Sequence, residues 1–211
     1  VAKPGGHDAT VDGHVQQHGV DISEPGVAQV LIREIEPDYV FHLAGISSVW
    51  RSWCDPVLTT QVNGLSAAAL LDACFIQQEA SGKRIVVVNA SSAEIFAGSG
   101  LSLQNEETQI APTSPYGVSK ALSHNMVQVY RARGLEATNA ILFNHESPRR
   151  PETFVTRKIT KAAVAISRGT LDALELGNLT SVRDWGWAPD YVDAMAAMAD
   201  YGKGEDFVVA T

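Results

Sequence analysis

Cysteine, basic residues and long apolar runs are all scarce in this 211-residue sequence. The two cysteines, Cys54 and Cys74, are too few for a disulfide framework and have no metal-ligand spacing. We therefore interpret both as small packing residues and expect a reducing, cytoplasmic location. No apolar segment is long enough to span a membrane, and the first residues have no signal-peptide pattern, which agrees with that location.

Positive charge is in deficit, because 16 lysines and arginines stand against 24 aspartates and glutamates. The formal net charge is -8. Nucleic acids and anionic membranes attract net-basic surfaces, so this balance argues against both as partners. Any anionic ligand must be held by a local cluster of basic residues.

Apolar residues are also scarce in residues 1–19, which are rich in glycine and histidine and are predicted to form a loop. His7, His14 and His18 have no acidic or cysteine partners at ligand spacing, so we predict no metal site there. Over the whole chain, 45% of the residues are hydrophobic, which is enough to bury one core of good size.

Strand and helix patterns alternate along the rest of the sequence. The pattern predicts a short strand ending near Ile22, a helix up to Pro37, a strand over 38–45, a helix over 56–79, a strand from 85, a helix from 115 to 134, a strand over 135–142, helices over 156–169 and 189–201, and a strand over 206–210. Such alternation is typical of a doubly wound, Rossmann-like α/β fold with a parallel sheet. We treat residues 1–211 as a single domain.

Tyr116 and Lys120 lie four positions apart at the start of the helix that follows Pro115. At 3.6 residues per turn the two side chains share one face of the helix. A nearby ammonium favours the phenolate, which makes Tyr116 a candidate general base. The alternative is a surface tyrosine and lysine on an amphipathic helix, because this spacing alone is a weak motif.

Ser92 and Glu94 favour the catalytic interpretation. They follow a buried-strand pattern with the sequence IVVVNAS at residues 85–91. In an open parallel sheet, ligands and chemistry collect beyond the carboxyl ends of the strands. Both side chains are therefore predicted to lie at the edge of the sheet where the Tyr116 helix begins.

A strand-end serine followed by YxxxK resembles the short-chain dehydrogenase/reductase superfamily, and longer runs resemble the GDP-mannose 4,6-dehydratase family of its extended branch. The matching runs are ILFNHESPRR at 141–150, FVTRK at 154–158, LGNL at 176–179 and RDWG at 183–186. The resemblance covers residues from about 20 to 211. That family opens with a strand, a glycine-rich turn that holds the cofactor pyrophosphate, and a helix. Since no GxxGxxG is present, either the protein lacks this element or the sequence omits part of it, and we favour omission.

The resemblance implies an NADP cofactor. It places Asp21 and Ile22 at the adenine, although an aspartate before a helix is equally an ordinary cap. The further residues implied to contact the cofactor are Leu43, Ala44, Gly45, Ser47, Tyr116, Lys120, His145 and Arg150. Arg149 and Arg150 resemble an arginine loop that reaches a neighbouring subunit, which implies a homo-oligomer, a dimer or a tetramer. Pro151 replaces the family's glycine in that loop, and paired arginines also occur simply as solvated surface residues.

Residues 144–187 are implied to contribute the substrate-binding segments, and Ser47, Asn144, Lys158 and Arg183 are the implied contacts to GDP-mannose. Lys158 stands in the first turn of a predicted helix, where a positive charge opposes the helix dipole. A diphosphate bound between Lys158 and Arg183 would relieve this. The alternative for Arg183 is a structural ion pair with Asp184.

The reaction implied by the resemblance converts GDP-mannose to GDP-4-keto-6-deoxymannose. Tyr116 takes the proton of the C4 hydroxyl while a hydride leaves C4 for NADP, Lys120 lowers the pKa of the phenol, and Ser92 hydrogen-bonds the oxygen. Glu94 then removes the C5 proton and protonates the departing C6 hydroxyl, and the hydride returns to C6.

Besides Pro151, four positions depart from that family: Ser92 replaces threonine, Ala93 replaces serine, Phe96 replaces tyrosine and Trp187 replaces histidine. Two alternatives stay open, namely another extended short-chain dehydrogenase, such as a nucleotide-sugar epimerase or reductase, and a non-catalytic nucleotide-sugar-binding protein. Glu94 favours the dehydratase, because simple epimerisation at C4 needs no base for C5.

Overall fold

The computed structural model describes residues 15–211, so that His7, His14 and most of the predicted N-terminal loop lie outside the described residues. The strands are β1 (Tyr39–His42), β2 (Val86–Ser92), β3 (Glu136–Leu142), β4 (His145–Glu146), β5 (Gly186–Trp187) and β6 (Asp206–Val209). The α-helices are α1 (Val27–Ile35), α2 (Val49–Cys54), α3 (Pro56–Thr60), α4 (Ser66–Ser81), α5 (Pro115–Ala132), α6 (Val155–Ser167) and α7 (Ala188–Tyr201).

The central sheet has the strand order β1-β2-β3-β6, and all of its pairings are parallel. Strand β2 is buried over its whole length, as the continuous apolar run predicts. Val87 faces a core formed with α1, α4 and α5, whereas Val86 and Val88 face a second core formed with α7. Helices on both faces of a parallel sheet confirm the predicted Rossmann-like α/β fold.

The start of the fold differs from the prediction in its first strand. Residues 21–24 form a turn, in which the Asp21 carboxylate accepts hydrogen bonds from the Ser23 amide at 2.9 Å and the Ser23 hydroxyl at 2.7 Å. An aspartate that bonds to the backbone two residues ahead stabilises a turn instead of an extended strand. Helix α1 then begins after Gly26, whose φ of 81° is in the left-handed region.

The predicted helix over 56–79 is interrupted. A π-helical turn, Gln61–Leu65, separates α3 from α4, and the short helix α2 precedes both. Asp55 caps α3 by accepting from the Leu58 amide at 2.9 Å. Because a π turn holds one more residue than an α turn, it rotates the side chains that follow it relative to a regular helix. Asn63, within this turn, is buried and contacts Ser119 of α5.

None of the helices in residues 15–211 is both long and apolar enough to cross a membrane.

Candidate active site

Helix α5 carries Tyr116 and Lys120 on its buried face. Its N-terminus is defined by Pro115 in the first turn and by Ser114, whose hydroxyl accepts from the Gly117 amide at 3.0 Å. The exposed fraction of Tyr116 is 8% and that of Lys120 is 6%. The spacing therefore places both side chains inside the fold, and the surface alternative for this pair is wrong.

The ammonium of Lys120 is directed towards the end of β2. Its Nζ donates a hydrogen bond to the Ala90 carbonyl oxygen at 2.7 Å. Burial lowers the pKa of Lys120 to about 8, because transfer out of water disfavours the charged form. The side chain therefore remains mostly charged at neutral pH.

The electrostatic environment of Tyr116 differs from the expectation. The pKa of its phenol is raised, and burial is the main cause. The Glu94 carboxylate also raises this pKa, whereas the hydrogen bond with Ser92 and the charge of the Arg150 guanidinium lower it. Lys120, which the helical spacing predicts to lower this pKa, bonds to the Ala90 carbonyl instead. Because burial outweighs the favourable contacts, the phenol of the chain by itself is protonated at neutral pH.

Ser92 and Glu94 stand where the sequence places them. Ser92 is the last residue of β2 and Glu94 lies in a 3-10 turn, Ala93–Phe96, whose first amides are capped by the Ser92 hydroxyl. The Glu94 amide donates to Ser92 Oγ at 3.3 Å. Since both side chains act on the pKa of Tyr116, the serine, the glutamate and the tyrosine form one cluster.

Gly117 permits the close approach of the 3-10 turn to α5. A Cβ atom at this position would lie 2.8 Å from the Glu94 carbonyl oxygen and 3.0 Å from Pro112 Cβ. We expect Gly117→Ala to separate Glu94 from Tyr116 and to reduce turnover about tenfold or more, since small misplacements of reacting groups are costly. Steady-state kinetics with a thermal melt measures both effects. Val129→Ala, at an exposed position of the same helix, is the control and is expected to change neither the turnover nor the melting temperature. Wild-type turnover of Gly117→Ala would contradict the packing argument.

The loop after β1 contains the predicted cofactor residues Leu43, Ala44, Gly45 and Ser47. Leu43 is 60% exposed, and Ser47 is also exposed. Gly45 lies beside Lys120, because a Cβ there would lie 3.8 Å from Lys120 Nζ. The loop thus connects the carboxyl end of β1 to the Lys120 side chain.

Asn63 holds this loop in place, and the sequence analysis missed it. Its Oδ1 accepts from the Ile46 amide at 2.7 Å, and its Nδ2 donates to the Ile46 carbonyl and to Ser119 Oγ, both at 3.0 Å. A Cβ on Gly45 would lie only 2.9 Å from Asn63 Oδ1, so that glycine is required at this contact. The available signal was a single asparagine within an Ala- and Leu-rich helical segment.

The segment after β3 brings His145 and Arg150 towards the same edge. Strand β4 pairs with β5, and the His145 ring lies 4.7 Å from the Tyr191 ring. Arg150 Nε lies 3.2 Å from a Glu146 carboxylate oxygen, and its guanidinium lies 3.8 Å above the Phe154 ring. Arg150 thus contacts residues of its own chain, and its positive charge lowers the pKa of Tyr116.

The predicted substrate residues Asn144, Lys158 and Arg183 are each hydrogen-bonded to a backbone group of the chain. The Asn144 carbonyl accepts from the Gly186 amide at 2.8 Å, whereas Lys158 Nζ donates to the Glu175 carbonyl at 2.6 Å and Arg183 donates to the Val182 carbonyl at 2.8 Å. Among residues 15–211, no ion pair joins Arg183 to Asp184; the Asp184 carboxylate accepts from the Thr211 hydroxyl at 2.8 Å. The structure therefore does not support the ion-pair alternative for Arg183.

Ile22 lies apart from the catalytic cluster, in an apolar groove of about 650 Å³. Pro56, Val57 and Leu65 also line this groove. Asp21 is bonded to Ser23 in a turn and does not cap α1, whose N-cap is Gly26, so the capping alternative is wrong. The adenine contact proposed for these two residues stays a prediction.

Two of the four departures from the expected pattern have a structural reason. Phe96 is 1% exposed and packs in an apolar cluster with Ile95, Ala121 and Ile141, where a hydroxyl is not needed. Ser92 keeps the hydroxyl that contacts Tyr116. Trp187 ends β5 and is 48% exposed; nothing in the structure explains the replacement of histidine there.

A parallel sheet with a strand-end serine and a buried YxxxK pair defines a short-chain dehydrogenase/reductase. In agreement, the chain superposes on a solved structure of RMD from Pseudomonas aeruginosa complexed with NADPH, with a TM-score of 0.77 and 28% identity over 92% of this chain and 66% of that one. It also matches MoeE5 in complex with UDP-glucose and NAD, with a TM-score of 0.76 and 25% identity over 91% of this chain and 62% of that one.

The chain belongs to the GDP-mannose 4,6-dehydratase family, whose model, described as "GDP-mannose 4,6 dehydratase", matches residues 5–211. GDP-mannose 4,6 dehydratase 2 of Arabidopsis thaliana is 45% identical over 92% of this chain and 52% of its own length. GDP-mannose 4,6-dehydratase of Yersinia enterocolitica is 40% identical over 95% of this chain and 54% of its own length. The resemblance inferred from the sequence is confirmed. The chain spans about half the length of these curated relatives.

Proposed function

We propose that this protein is a nucleotide-sugar dehydratase that converts GDP-mannose to GDP-4-keto-6-deoxymannose with NADP as cofactor. The observation that carries the proposal is the cluster of Ser92, Glu94 and Tyr116, with the buried Lys120 beside it. A base for the C4 hydroxyl and a separate carboxylate for C5 are the two groups that oxidation followed by elimination needs. Family membership supports the choice of substrate.

The small residues Ala44 and Gly45 suit a flat ligand that approaches the backbone beside Lys120. Arg150, whose buried Nε has no hydrogen bond within residues 15–211 and lies 3.2 Å from the Glu146 carboxylate, suits an anionic group. We propose that these residues hold the dinucleotide together with Asp21, Ile22, Leu43, Ser47, Tyr116, Lys120 and His145. The solved relatives carry NADPH or NAD, which supports a dinucleotide, and the choice of NADP is part of the proposal.

The residues of the cluster divide the chemistry between them. Tyr116 removes the proton from the C4 hydroxyl, and Ser92 hydrogen-bonds the same oxygen as it becomes a carbonyl. Because burial raises the pKa of the phenol in the chain by itself, the proposal requires that the positive charge of the oxidised nicotinamide, when bound, favours the phenolate. Glu94 removes the proton from C5, which the new ketone has made acidic, and delivers a proton to the C6 hydroxyl, which leaves as water. When bound, NADP would supply reversible hydride storage, so that the hydride lost from C4 is returned to C6 and no external reductant is needed. The proton that Tyr116 took from the C4 hydroxyl is then delivered to C5, which balances the reaction and restores the base.

Incubation of the protein with GDP-mannose and NADP, followed by mass spectrometry and NMR of the sugar, tests the proposal. We expect a product that has lost one water and carries a ketone at C4 and a methyl group at C6. A C4 epimer of unchanged mass would establish the epimerase alternative. Binding of GDP-mannose without any product would establish the non-catalytic alternative.

We further propose that the protein is a homo-oligomer, a dimer or a tetramer. The neighbouring elements α2, α3, the π turn and α5 expose apolar side chains, each more than half exposed: Trp50, Trp53, Val57, Leu65 and Val118. Aromatic side chains exposed together are typical of protein interfaces. Sedimentation velocity measures the assembly, and a monomer at micromolar concentration would contradict it. A cytoplasmic location is also part of the proposal, and the free thiols of Cys54 and Cys74 support it.

Arg183→Ala is expected to weaken GDP-mannose binding about ten- to a hundredfold. One charge-assisted contact to a diphosphate is worth about 1.5 to 3 kcal/mol, and each 1.4 kcal/mol corresponds to about tenfold in affinity. Because the net charge of -8 repels an anionic nucleotide, local contacts must supply the binding energy. Asn144→Ala is expected to weaken GDP-mannose but not free GDP.

Calorimetric titration of GDP and GDP-mannose, together with a thermal melt, measures the effect of Arg183→Ala. Arg33→Ala, which removes an exposed arginine of α1, is the matched control and is expected to leave both affinities unchanged. Unchanged affinity of Arg183→Ala for both ligands would remove Arg183 from the site.

A further inference from the structure

A row of buried polar side chains crosses the central sheet beneath α5. His42, Asn89, Asn139 and Asp206 are aligned at one register on the four neighbouring strands β1, β2, β3 and β6. Successive side chains lie within hydrogen-bond distance: His42 Nδ1 to Asn89 Oδ1 at 3.0 Å, Asn89 Nδ2 to Asn139 Oδ1 at 2.9 Å, and Asn139 Nδ2 to Asp206 Oδ1 at 2.9 Å. The mechanism above uses none of these residues.

The donor and acceptor roles along the row of hydrogen bonds follow from the charge of Asp206 at its β6 end. Burial alone would raise the pKa of Asp206, but hydrogen bonds from His124, Arg131 and Gln128 outweigh burial and hold this pKa well below its usual range. An ionised carboxylate only accepts hydrogen bonds, so Asn139 must present its NH₂ group to Asp206 and its oxygen to Asn89. Asn89 then presents its oxygen to His42. His42 must therefore carry its proton on Nδ1, which leaves a bare lone pair on Nε2.

This lone pair is buried and has no hydrogen-bond partner in the described part of the chain. His42 is 4% exposed and ends β1, and the strand leads directly to Gly45, whose Cβ position would lie 3.8 Å from Lys120 Nζ. Burial is the main cause that lowers the pKa of His42 to about 4, hydrogen bonding to Asn89 opposes this, and the charge of Lys120 lowers it further. The imidazole therefore remains neutral at physiological pH, with Nε2 as an acceptor. Lys120 Nζ is bonded to the carbonyl of Ala90, which directly follows the Asn89 that contacts His42, and its charge acts on the pKa of His42.

We infer that His42 is a positioning residue for Lys120, whose ammonium it supports through one bound water that accepts from Lys120 Nζ and donates to His42 Nε2. One N–H of the Lys120 ammonium is bonded to the Ala90 carbonyl. The water would accept from a second N–H and would donate to the buried lone pair of His42, so that both groups are satisfied. The row from Asp206 to His42 fixes the tautomer that makes this possible. The role assigned to Lys120 rests on the proposed function, but the contact itself does not.

NMR of the protein with 15N-labelled histidine tests the contact without any turnover. We expect His42 to be protonated on Nδ1 and not on Nε2, and to remain neutral down to about pH 5. An Nε2–H tautomer, or protonation of His42 near its ordinary pKa, would overturn the inference. Neither result depends on whether the protein converts GDP-mannose, so failure of this inference and failure of the proposed function are distinguishable.

The second measurement is the pKa of Lys120, followed by NMR of labelled lysine side chains. His42→Phe removes the acceptor that supports the charged form, and we expect the pKa of Lys120 to fall from about 8 by about one unit. His42→Gln keeps a donor for Asn89 and an acceptor for the water, and we expect it to restore the wild-type value. Asn89→Leu removes the acceptor that holds the proton of His42 on Nδ1. We therefore expect the Nε2–H tautomer of His42 to be detected in this variant.

His124→Gln is the matched control, because this second buried histidine contacts Ser91 at 3.1 Å and Asp206 at 3.4 Å and not the lone pair of His42. A glutamine amide can still donate to Asp206, which Arg131 and Gln128 also keep ionised, so the direction of the row is retained. It is expected to lower the melting temperature and to leave the pKa of Lys120 unchanged. If the pKa of Lys120 is the same in folded His42→Phe and in the wild type, the inference is wrong. If His42→Phe does not fold, the tautomer of His42 in the wild type and the pKa of Lys120 in His42→Gln still test the inference.

Discussion

Replacing Tyr116 with phenylalanine is expected to lower kcat about 10²- to 10⁴-fold and to leave GDP-mannose binding largely intact. The change removes one oxygen from a buried ring that packs at the start of α5, so the shape of the site is kept. What is lost is the group that takes the C4 proton, and a base that acts only in the transition state changes kcat more than binding. Steady-state kinetics with calorimetric titration of GDP-mannose measures both quantities.

Tyr130→Phe is the matched control for this experiment. Tyr130 is equally buried, lies on the same helix and donates its hydroxyl hydrogen bond to Asp72 at 2.8 Å. Loss of that bond is expected to reduce stability by about 1 kcal/mol and to leave kcat unchanged. If Tyr116→Phe keeps most of its activity, Tyr116 is not the base.

Glu94→Gln is expected to separate oxidation at C4 from elimination. Glutamine keeps the shape and the hydrogen-bonding capacity of the side chain but removes the carboxylate that takes the C5 proton. We expect net turnover to fall about 10²- to 10⁴-fold, whereas oxidation at C4 continues. Enzyme-bound NADPH should then accumulate when GDP-mannose is added, and nicotinamide absorbance in a stopped-flow experiment measures it.

The control for Glu94→Gln is Glu107→Gln, at an exposed position of the loop between β2 and α5. This variant is expected to turn over normally without accumulation of NADPH. Full turnover of Glu94→Gln with no accumulation would show that another group removes the C5 proton. Loss of both oxidation and elimination would instead assign Glu94 to substrate binding.

Lys120 shows which properties of the predicted catalytic group follow from local sequence and which do not. Helical periodicity places Tyr116 and Lys120 on one face whatever surrounds them. The pKa of the phenol depends on burial and on the positions of Ser92, Glu94 and Arg150, which come from other segments of the chain. Those distances are set by packing and are not encoded in any local pattern, and the effect predicted for Lys120 on this pKa stays a prediction.

The predicted substrate residues also show what local sequence cannot specify. The sequence runs around Asn144, Lys158 and Arg183 are specific enough to indicate the family by themselves, and the family assignment is confirmed. Their roles as substrate contacts stay predictions, because Lys158 and Arg183 are bonded to backbone carbonyls of their own chain. The geometry of a diphosphate site depends on the ligand as well as on the fold.

Local patterns of the sequence determined the alternation of strands and helices, the parallel sheet, and the placement of Ser92, Glu94, Tyr116 and Lys120 at one edge of it. These features follow from periodicity, burial and the rule that chemistry collects at strand ends, which neighbouring residues are enough to specify. Only the tertiary structure decided that Asn63 clamps the loop at Gly45, that Gly117 admits the Glu94 turn, and that the row from His42 to Asp206 crosses four strands. Each of these contacts joins residues far apart in the chain, and it forms only when the strands are in register and the helices are packed against them.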